Sequence, residues 1–431
     1  MPKVNPFRPN APVNPGMFVG RLRELERLEN HLVQTRAGNP SNFMITGERG
    51  IGKSSLLLYL SAVAEGAIPI GDNTLHLLVV DTSIDASTTQ LGLVKKIEIG
   101  LRHALEASEP AKAFWSKAWS FVERVETGPL KIRAKTPMES GETFLDEFVY
   151  SLAAIAARLC SPSDPDIFTS RREGILVLID EADNGSRDLS LGSFLKLVAE
   201  GLQRRGCNHV MFGLAGLTGL RELLVEGHPS AVRLFEENTL GRLTDDEVGR
   251  VIDICIAKAN ESADIPYSVT PAARDILANL SEGYPHFIQQ FGYCAFAADT
   301  DNAIDEADVI AGAFRPRGGL DLIGDQYYRD NFYNKIQKDS YRQVLRIMAD
   351  RLDGWITKAE IRQRFKGKPT TLDNAIHALR ERHIIVPKEG EKGVYRLQHK
   401  GFALWIKLRT TPPETLQKDA EQHTPANRGL S

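Results

Sequence analysis

One octapeptide limits the possible fold more than any other part of the chain. Residues 47–54 satisfy the pattern G-x-x-x-x-G-K-[ST], which occurs by chance in roughly one or two of a hundred chains of this length at average glycine usage. An apolar run at residues 43–46 precedes the octapeptide, and an apolar segment at residues 56–60 follows it. This order of strand, glycine-rich loop and helix predicts a phosphate-binding loop, with a plain glycine turn as the alternative.

The residue types in this segment suit nucleotide binding. Glycines let backbone N–H groups turn inward and approach phosphates closely, and the helix N-terminus adds the positive end of its dipole. We expect Lys53 to contact the β- and γ-phosphates and the Ser54 hydroxyl to bind Mg²⁺, so the expected cofactors are ATP and Mg²⁺. The residues assigned to nucleotide binding here are Gly47, Glu48, Arg49, Gly50, Ile51, Gly52, Lys53, Ser54 and Ser55.

A second segment places carboxylates at the end of a buried strand. Residues 175–183 read ILVLIDEAD, and ligands of open α/β sheets bind at the carboxyl ends of the strands. We expect Asp180 to hold Mg²⁺, directly or through water, and Glu181 to polarise the water that attacks the γ-phosphate. Taken alone, the segment is also compatible with a strand that ends in solvated acids.

Further apolar runs predict the rest of the fold. Residues 75–81 and 209–212 are typical of buried strands, and long helical patterns, including one at residues 111–126, separate the strands. Strands that alternate with long helices indicate an α/β fold with a parallel sheet and crossover helices on both faces.

Composition excludes several classes of protein. The chain has 431 residues, of which 42% are hydrophobic and 25% charged, so it is neither disordered nor collagenous as a whole. Its four cysteines form no CxxC pair, which argues against a zinc ribbon or a disulfide framework. No apolar run reaches the ~18–20 residues of a membrane span. We therefore expect a soluble, cytoplasmic protein with reduced thiols.

With these motifs in place, the chain resembles an AAA+ ATPase of the origin-recognition (initiator-like) and STAND-related group. Phe18-Val19-Gly20-Arg21 resembles the box that precedes the glycine loop in that group and lies against the nucleotide base. Residues 283–286, Gly-Tyr-Pro-His, resemble the element of the helical lid that contacts bound nucleotide. The resemblance thus implies nucleotide-binding roles for Phe18, Val19, Gly20, Arg21, Pro285 and His286.

The chain departs from the group's pattern at several catalytic positions. The strand after the acidic motif ends without a polar sensor, and Thr218 is the nearest candidate. The lid element carries His286 where many AAA+ lids carry arginine. Arg233 resembles an arginine finger that acts on a neighbouring subunit's nucleotide, although a surface arginine is equally ordinary there, and Arg242 is the next candidate. Without such an arginine, slow hydrolysis and a nucleotide switch fit better than a motor.

A basic segment follows the lid. Residues 338–409 hold 17 Lys/Arg and 8 Asp/Glu, whereas the whole chain has net charge −3. Three helical patterns and a hairpin made by residues 384–386 and 394–397 resemble a winged helix. Its third helix would lie in the major groove of DNA and expose Thr370, Asn374, His377 and Glu381, of which Glu381 opposes phosphate contact. Residues suited to phosphates are Lys358, Lys366, Lys368, Lys388, Lys392 and Arg396.

Two functions follow from these patterns. The first is an ATP-binding, slowly hydrolysing switch that associates with double-stranded DNA and acts as a homo-oligomer or with a partner protein. The alternative is a STAND-like signalling or defence ATPase whose winged helix docks proteins. The expected parts are an extended arm (1–16), an AAA+ core (17–240), a helical lid (241–318), a linker (319–337), a winged helix (338–409) and a disordered tail (410–431).

Overall fold

A computed structural model describes residues 3–105, 118–120, 122, 137–161, 171–329, 332–333, 336, 338–351, 354–382 and 384–410. The chain divides into two compact units. The sheet unit is Ala11–Leu243, and the helical unit joins Met1–Asn10 to Thr244–Ser431. Most of the helix predicted at 111–126 and, apart from its first residue, the tail at 410–431 lie outside the described residues.

A five-stranded parallel sheet forms the centre of the sheet unit, as the sequence predicts. The strand order is β2-β3-β4-β1-β5, so the strands that carry the two motifs, β1 and β3, flank β4. Parallel strands place their carboxyl ends at one edge, which brings the ends of β1 and β3 together. The strands are β1 (Asn42–Gly47), β2 (Leu77–Ser83), β3 (Gly174–Asp180), β4 (Val210–Gly216) and β5 (Phe235–Leu240).

Helices cover both faces of this sheet. Residues 175–179 of β3 are all fully buried, which is typical of a parallel strand between two helical layers. Ile175, Val177 and Ile179 pack in one apolar core with Phe148 and Phe194, and the alternate side chains of β3 point to the opposite face. The helices are α1 (Leu22–Arg36), α2 (Lys53–Ala64), α3 (Gln90–Leu105), α4 (Pro137–Cys160), α5 (Leu191–Arg204) and α6 (Leu220–Gly227).

The helical unit begins with the predicted lid. Thr244 forms a capping box with Glu247, and Thr270 caps the next helix, which has Pro271 at its first position. Two short parallel strands, β6 (Ser268–Val269) and β7 (Ala303–Ile304), interrupt the predicted helical lid. The helices are α7 (Asp245–Asn260), α8 (Pro271–Ser281), α9 (Pro285–Ala298), α10 (Glu306–Phe314) and α11 (Gly319–Ile323), and a π-helical turn, Gly324–Tyr328, continues α11.

The basic segment forms a C-terminal module of helices and a small sheet. Its antiparallel sheet has the order β8-β10-β9, so a third strand joins the predicted hairpin. A last helix follows the hairpin, and the sequence patterns did not predict it. The elements are α12 (Asp339–Ala349), β8 (Ile356–Thr357), α13 (Lys358–Arg364), α14 (Pro369–Glu381), β9 (Ile385–Pro387), β10 (Val394–Leu397) and α15 (Lys400–Thr410).

The N-terminal arm packs on the protein instead of extending from it. The Lys3 ammonium lies 2.6 Å from a carboxylate oxygen of Asp299, whose side chain is fully buried. Phe7 is 2% exposed and packs on Gly292 of α9. Further along the arm, the backbone N–H of Val13 donates to Ser55 Oγ on α2 at 3.2 Å. The arm therefore contributes to both units.

No helix among the described residues is long and apolar enough to cross a bilayer.

Candidate functional site

The glycine-rich loop connects β1 to α2. Gly50 and Gly52 have φ angles of 77° and 100°, a left-handed region that residues with a side chain seldom adopt. A Cβ on Gly47 would lie 2.9 Å from Cγ2 of Ile51 and 3.1 Å from the carbonyl oxygen of Leu240. Glycines at these positions therefore allow both the backbone path and the tight packing of the loop.

Lys53 begins α2 and turns back over the loop. Its ammonium donates to the carbonyl oxygens of Gly47 at 2.9 Å and Glu48 at 3.0 Å. Burial lowers the pKa of Lys53 below the usual lysine value, although the nearby carboxylates of Asp183 and Asp180 act in the opposite direction. The ammonium charge is therefore incompletely compensated, and a phosphate anion in the loop would supply the missing counter-charge.

Ser54 and Asp180 meet at the carboxyl edge of the sheet. Ser54 Oγ donates to Asp180 Oδ2 at 2.6 Å, and Asp180 Oδ1 accepts the backbone N–H of Glu181 at 2.8 Å. Two oxygens in one octahedral Mg²⁺ shell lie about 2.9 Å apart, given Mg–O bonds of about 2.05 Å. The pair thus has the hard oxygen chemistry and nearly the spacing that Mg²⁺ requires, so these residues fit the ion.

Glu181 follows Asp180 in a constrained turn. Its φ is 52°, which is uncommon for a residue other than glycine and is often found at functional sites. The side chain is exposed, and the Asn184 amide donates to Glu181 Oε2 at 3.3 Å. Asn184 thus orients the carboxylate, a role that sequence reasoning missed although Asn184 directly follows the acidic motif.

Asp183 connects the ends of two neighbouring strands. Its Oδ1 accepts the backbone N–H of Leu217 at 2.8 Å, immediately after β4. Asp183 therefore links the turn after β3 to the backbone immediately after β4. Thr218, the sensor candidate, lies one residue further on in an exposed turn. The third acid of ILVLIDEAD was the available signal for Asp183.

A further carboxylate lies near Asp180. Ser83 of β2 pairs with Asp180 of β3, and Asp81, two residues earlier, therefore shares the face of Asp180. Desolvation raises the pKa of Asp81 above its ordinary value, and the like charge of Asp180 adds to the rise. Sequence reasoning missed Asp81 as a site residue, although it ends one of the predicted strands.

The box at residues 18–21, before the glycine loop, stabilises that loop through contacts of Arg21 and Phe18. Arg21 is 6% exposed, and its Nη2 donates to the carbonyl oxygens of Ile51 at 2.8 Å and Gly241 at 2.9 Å. The half-buried Phe18 ring lies 5.4 Å from the ring of Tyr59. Tyr59 belongs to α2, the helix that starts at Lys53. Val19 and Gly20, which stand between Phe18 and Arg21 in the sequence, are also half-buried.

Arg233 lies at the opposite edge of the sheet. It is exposed, in a 3-10 turn just before β5, and the β1–β5 register places Phe235 beside Asn42 and Leu240 beside Gly47. The six residues of β5 therefore separate Arg233 from the loop by about 20 Å at ~3.3 Å per residue. Arg233 is too distant to reach the loop of its own chain. Arg242 is also exposed.

The structure brings some predicted site residues together and leaves others apart. The glycine loop, Asp180 and Glu181 form one cluster, whereas Arg233 and Thr218 lie outside its contacts. Pro285 and His286 belong to the helical unit, where they open α9.

Comparison with known proteins agrees with this arrangement. Residues 17–205 match the family model of the AAA ATPase domain. These residues form an AAA+ P-loop ATPase domain. The matched segment begins at the box that contains Phe18 and ends just after α5, so it includes the glycine loop, Asp180 and Glu181. No curated protein matches the chain significantly.

The whole chain, including its AAA+ domain, is also similar to several solved structures. The Aeropyrum pernix ORC2 protein, solved as ADPNP–ADP complexes, matches with TM-score 0.54 and 15% identity, over 91% of this chain and 96% of that one. Cdc6p from Pyrobaculum aerophilum matches with TM-score 0.42 and 15% identity, over 92% and 99%. The Aeropyrum pernix ORC1 protein in complex with DNA matches with TM-score 0.40 and 18% identity, over 91% and 93%. Of these three, only the ORC2 score exceeds 0.5, and at 15% identity it indicates a shared fold.

Proposed function

We propose that this protein is an ATP-dependent switch that binds ATP with Mg²⁺ in its AAA+ domain and hydrolyses it slowly. The observation that carries the proposal is the contact between Ser54 and Asp180 beside the glycine loop, because it joins a phosphate cradle to hard oxygen ligands. The ORC2 protein of similar fold was solved with ADPNP and ADP, which supports the choice of an adenine nucleotide.

In this proposal each side chain has a separate task. Lys53 exchanges its two loop carbonyl acceptors for phosphate oxygens, so its partly compensated charge favours the triphosphate. Ser54 and Asp180 hold Mg²⁺, which when bound neutralises charge on the β- and γ-phosphates. Glu181, oriented by Asn184, accepts the proton of the attacking water. Pro285 and His286 contact the nucleotide, as the family resemblance implies.

The location of Arg233 favours action between subunits. Because the length of β5 separates it from the loop of its own chain, any role in hydrolysis requires a neighbouring copy. We propose a homo-oligomer in which the exposed Arg233 of one copy reaches the nucleotide of the next. A chain without such a neighbour would hydrolyse ATP slowly.

We further propose that the C-terminal module is a winged helix that contacts double-stranded DNA. Its third helix, α14, exposes Asn374, His377 and Arg380, which suit base edges and phosphates. Lys366 and Lys368 are exposed at the start of that helix. The net positive charge of the segment supplies the sequence-independent attraction to phosphate.

One observation favours protein docking as a second candidate. Several cations of the module already have acidic partners: Lys358 lies 2.5 Å from Asp373, and Lys388 lies 2.5 Å from Glu391. Lys388 and Arg396 also lie over the Trp355 ring. These pairs reduce the charge available to phosphates and leave a mixed polar surface, which suits a protein partner.

Salt dependence distinguishes the two candidates. DNA binding through phosphates predicts that affinity for a duplex falls steeply as salt rises, and that Lys366→Glu with Lys368→Glu weakens it further. Arg23→Glu with Arg27→Glu, at exposed positions of α1, is a matched double charge reversal outside the module and should leave DNA affinity unchanged. If substitutions in the module leave the retention of the protein on duplex DNA at low salt unchanged, protein docking is favoured.

A further inference from the structure

The turn that opens α9 is bonded to the last helix of the chain. We call residues 282–286 the lid turn. Glu282 and Gly283 have φ angles of 50° and 72°, so the chain reverses tightly between α8 and α9. Glu282 Oε1 accepts the backbone N–H of Gly401 at 3.2 Å, in the first turn of α15. A carboxylate at the start of a helix also interacts favourably with the helix dipole.

Aromatic rings pack against the lid turn from outside the lid. The His399 ring, immediately before α15, meets the Tyr284 ring edge-on at 4.8 Å and lies 5.7 Å from Phe287. Tyr327, from the π-helical turn, lies 5.3 Å from His286 and 5.2 Å from Phe287. Such ring pairs fix side-chain positions through their preferred geometries. Residues after the lid thus hold its turn on two sides.

The segment between the lid and the module is itself packed, over the residues that the structure describes. Tyr328 lies 4.9 Å from the Phe402 ring of α15, and Arg409 of α15 donates to Asp321 of α11 at 2.8 Å. A Cβ on Gly324 would collide with the indole of Trp405, so helix and π-helical turn approach each other closely. Residues 319–328 of the predicted linker therefore tie α15 to the lid.

We propose that α15 and His399 are positioning elements of the nucleotide site, which they influence by holding the lid turn. The inference rests on the proposed function, in which Pro285 and His286 contact the nucleotide. A ligand that repositions the lid turn must then alter the Glu282–Gly401 bond and the His399–Tyr284 pair. Coupling of this kind is reciprocal, so a partner bound to the C-terminal module changes nucleotide affinity by the same factor.

Hydrogen exchange of the full-length protein tests the proposal without any substitution. The readout is exchange of the Gly401 amide and its neighbours in α15, with Mg²⁺ and a non-hydrolysable ATP analogue present or absent. Nucleotide should change exchange at the start of α15 in the wild-type protein and leave it unchanged in Lys53→Ala. If the wild-type protein binds the analogue but exchange at the start of α15 is the same in both states, the proposal is wrong and the proposed function stands. If neither protein binds the analogue, the proposed function itself fails.

Substitution of Glu282 provides a second test. Glu282→Gln keeps an oxygen that accepts the Gly401 N–H, whereas Glu282→Ala removes it. We expect Glu282→Ala to lower affinity for a fluorescent ATP several-fold and to abolish the exchange response of α15, and Glu282→Gln to retain both. Glu226→Ala, at an exposed position of α6, is the matched control and should behave like the wild-type protein. Equal affinity and equal exchange responses in both Glu282 variants would overturn the proposal.

Discussion

Ser54 Oγ donates a hydrogen bond of 2.6 Å to Asp180 Oδ2, although 126 positions separate the two residues in the chain. The bond exists because β4 alone separates β1 from β3 in the sheet, so the loop after β1 and the acids after β3 emerge side by side. In the proposed ATP complex, the same two oxygens would hold Mg²⁺, which would help to neutralise the phosphate charge. The protein without nucleotide thus holds the two ligands at nearly the required spacing.

Glu181 is predicted to act in hydrolysis and not in binding. Glu181→Gln should leave ATP affinity close to that of the wild-type protein and reduce phosphate release to background, because the amide cannot accept the proton of water. Asn184→Ala should lower kcat with little effect on affinity, since Asn184 only orients Glu181. Single-turnover phosphate release and ATP titration measure the two quantities. Turnover of Glu181→Gln equal to wild type would remove Glu181 from the mechanism.

Because of Lys53, ATP affinity should begin to fall at a lower pH than the ordinary lysine pKa would predict. Burial lowers the pKa of Lys53 in the free protein, and a bound triphosphate stabilises its charged form. ATP affinity is therefore highest at pH values below the pKa that Lys53 has in the free protein. It falls as pH rises through that pKa, before the ordinary lysine value of 10.5 is reached. Lys53→Arg, which stays charged, should bind more weakly at neutral pH but show no such decline. Parallel titration curves for the two proteins would contradict this assignment.

Asp81 should destabilise the protein that lacks nucleotide. Its pKa in the folded protein is raised by desolvation and by Asp180, so the charged form is disfavoured and the contribution of Asp81 to stability becomes less unfavourable as pH falls through that raised pKa. Asp81→Asn should raise the melting temperature at pH 7 and flatten this pH dependence. Asp72→Asn, in an exposed turn, is the control and should change neither. A lower melting temperature for Asp81→Asn would show that the charge is favourable.

Phe7 should stabilise the helical unit from the N-terminal arm. Phe7→Ala removes a ring that is 2% exposed, and such truncations cost about 3–5 kcal/mol. Val4→Ala changes a side chain on the same arm that is 71% exposed and should cost no more than about 0.5 kcal/mol. Urea unfolding, followed by a probe in the helical unit, measures the difference. Equal midpoints for the two variants would mean that the arm does not contribute to stability.

Motif spacing predicted the chemical centre of the site and the class of the sheet. The glycine loop, Asp180 and Glu181 were predictable because local residue types dictate their backbone and their place at strand ends. Asp81, Asp183 and Asn184 were not identified, since their roles depend on strand order and on contacts across the turn after β3. Arg21 was expected at the nucleotide base, yet its guanidinium bonds to backbone carbonyls, a tertiary contact that no local pattern encodes.

Packing of the predicted linker and of the N-terminal arm could not be predicted from local sequence patterns. Residues 319–337 were predicted to be a linker, but Leu320 and Tyr328 are buried within the helical unit. The five prolines of the first sixteen residues predicted an extended arm, whereas the burial of Phe7 depends on its packing against Gly292, nearly three hundred positions away. Both outcomes arise from tertiary packing, which overrides local composition.

The proposed function depends first on ATP binding. Isothermal titration of the purified full-length protein with ATP and Mg²⁺ should show a saturable heat of binding, and Lys53→Ala should show none while it retains the wild-type melting temperature. Omission of Mg²⁺ should weaken binding by the wild-type protein, because Ser54 and Asp180 then lose the ion that they are arranged to hold. A wild-type protein that binds no ATP, or a Lys53→Ala variant that binds it equally well, would contradict the account.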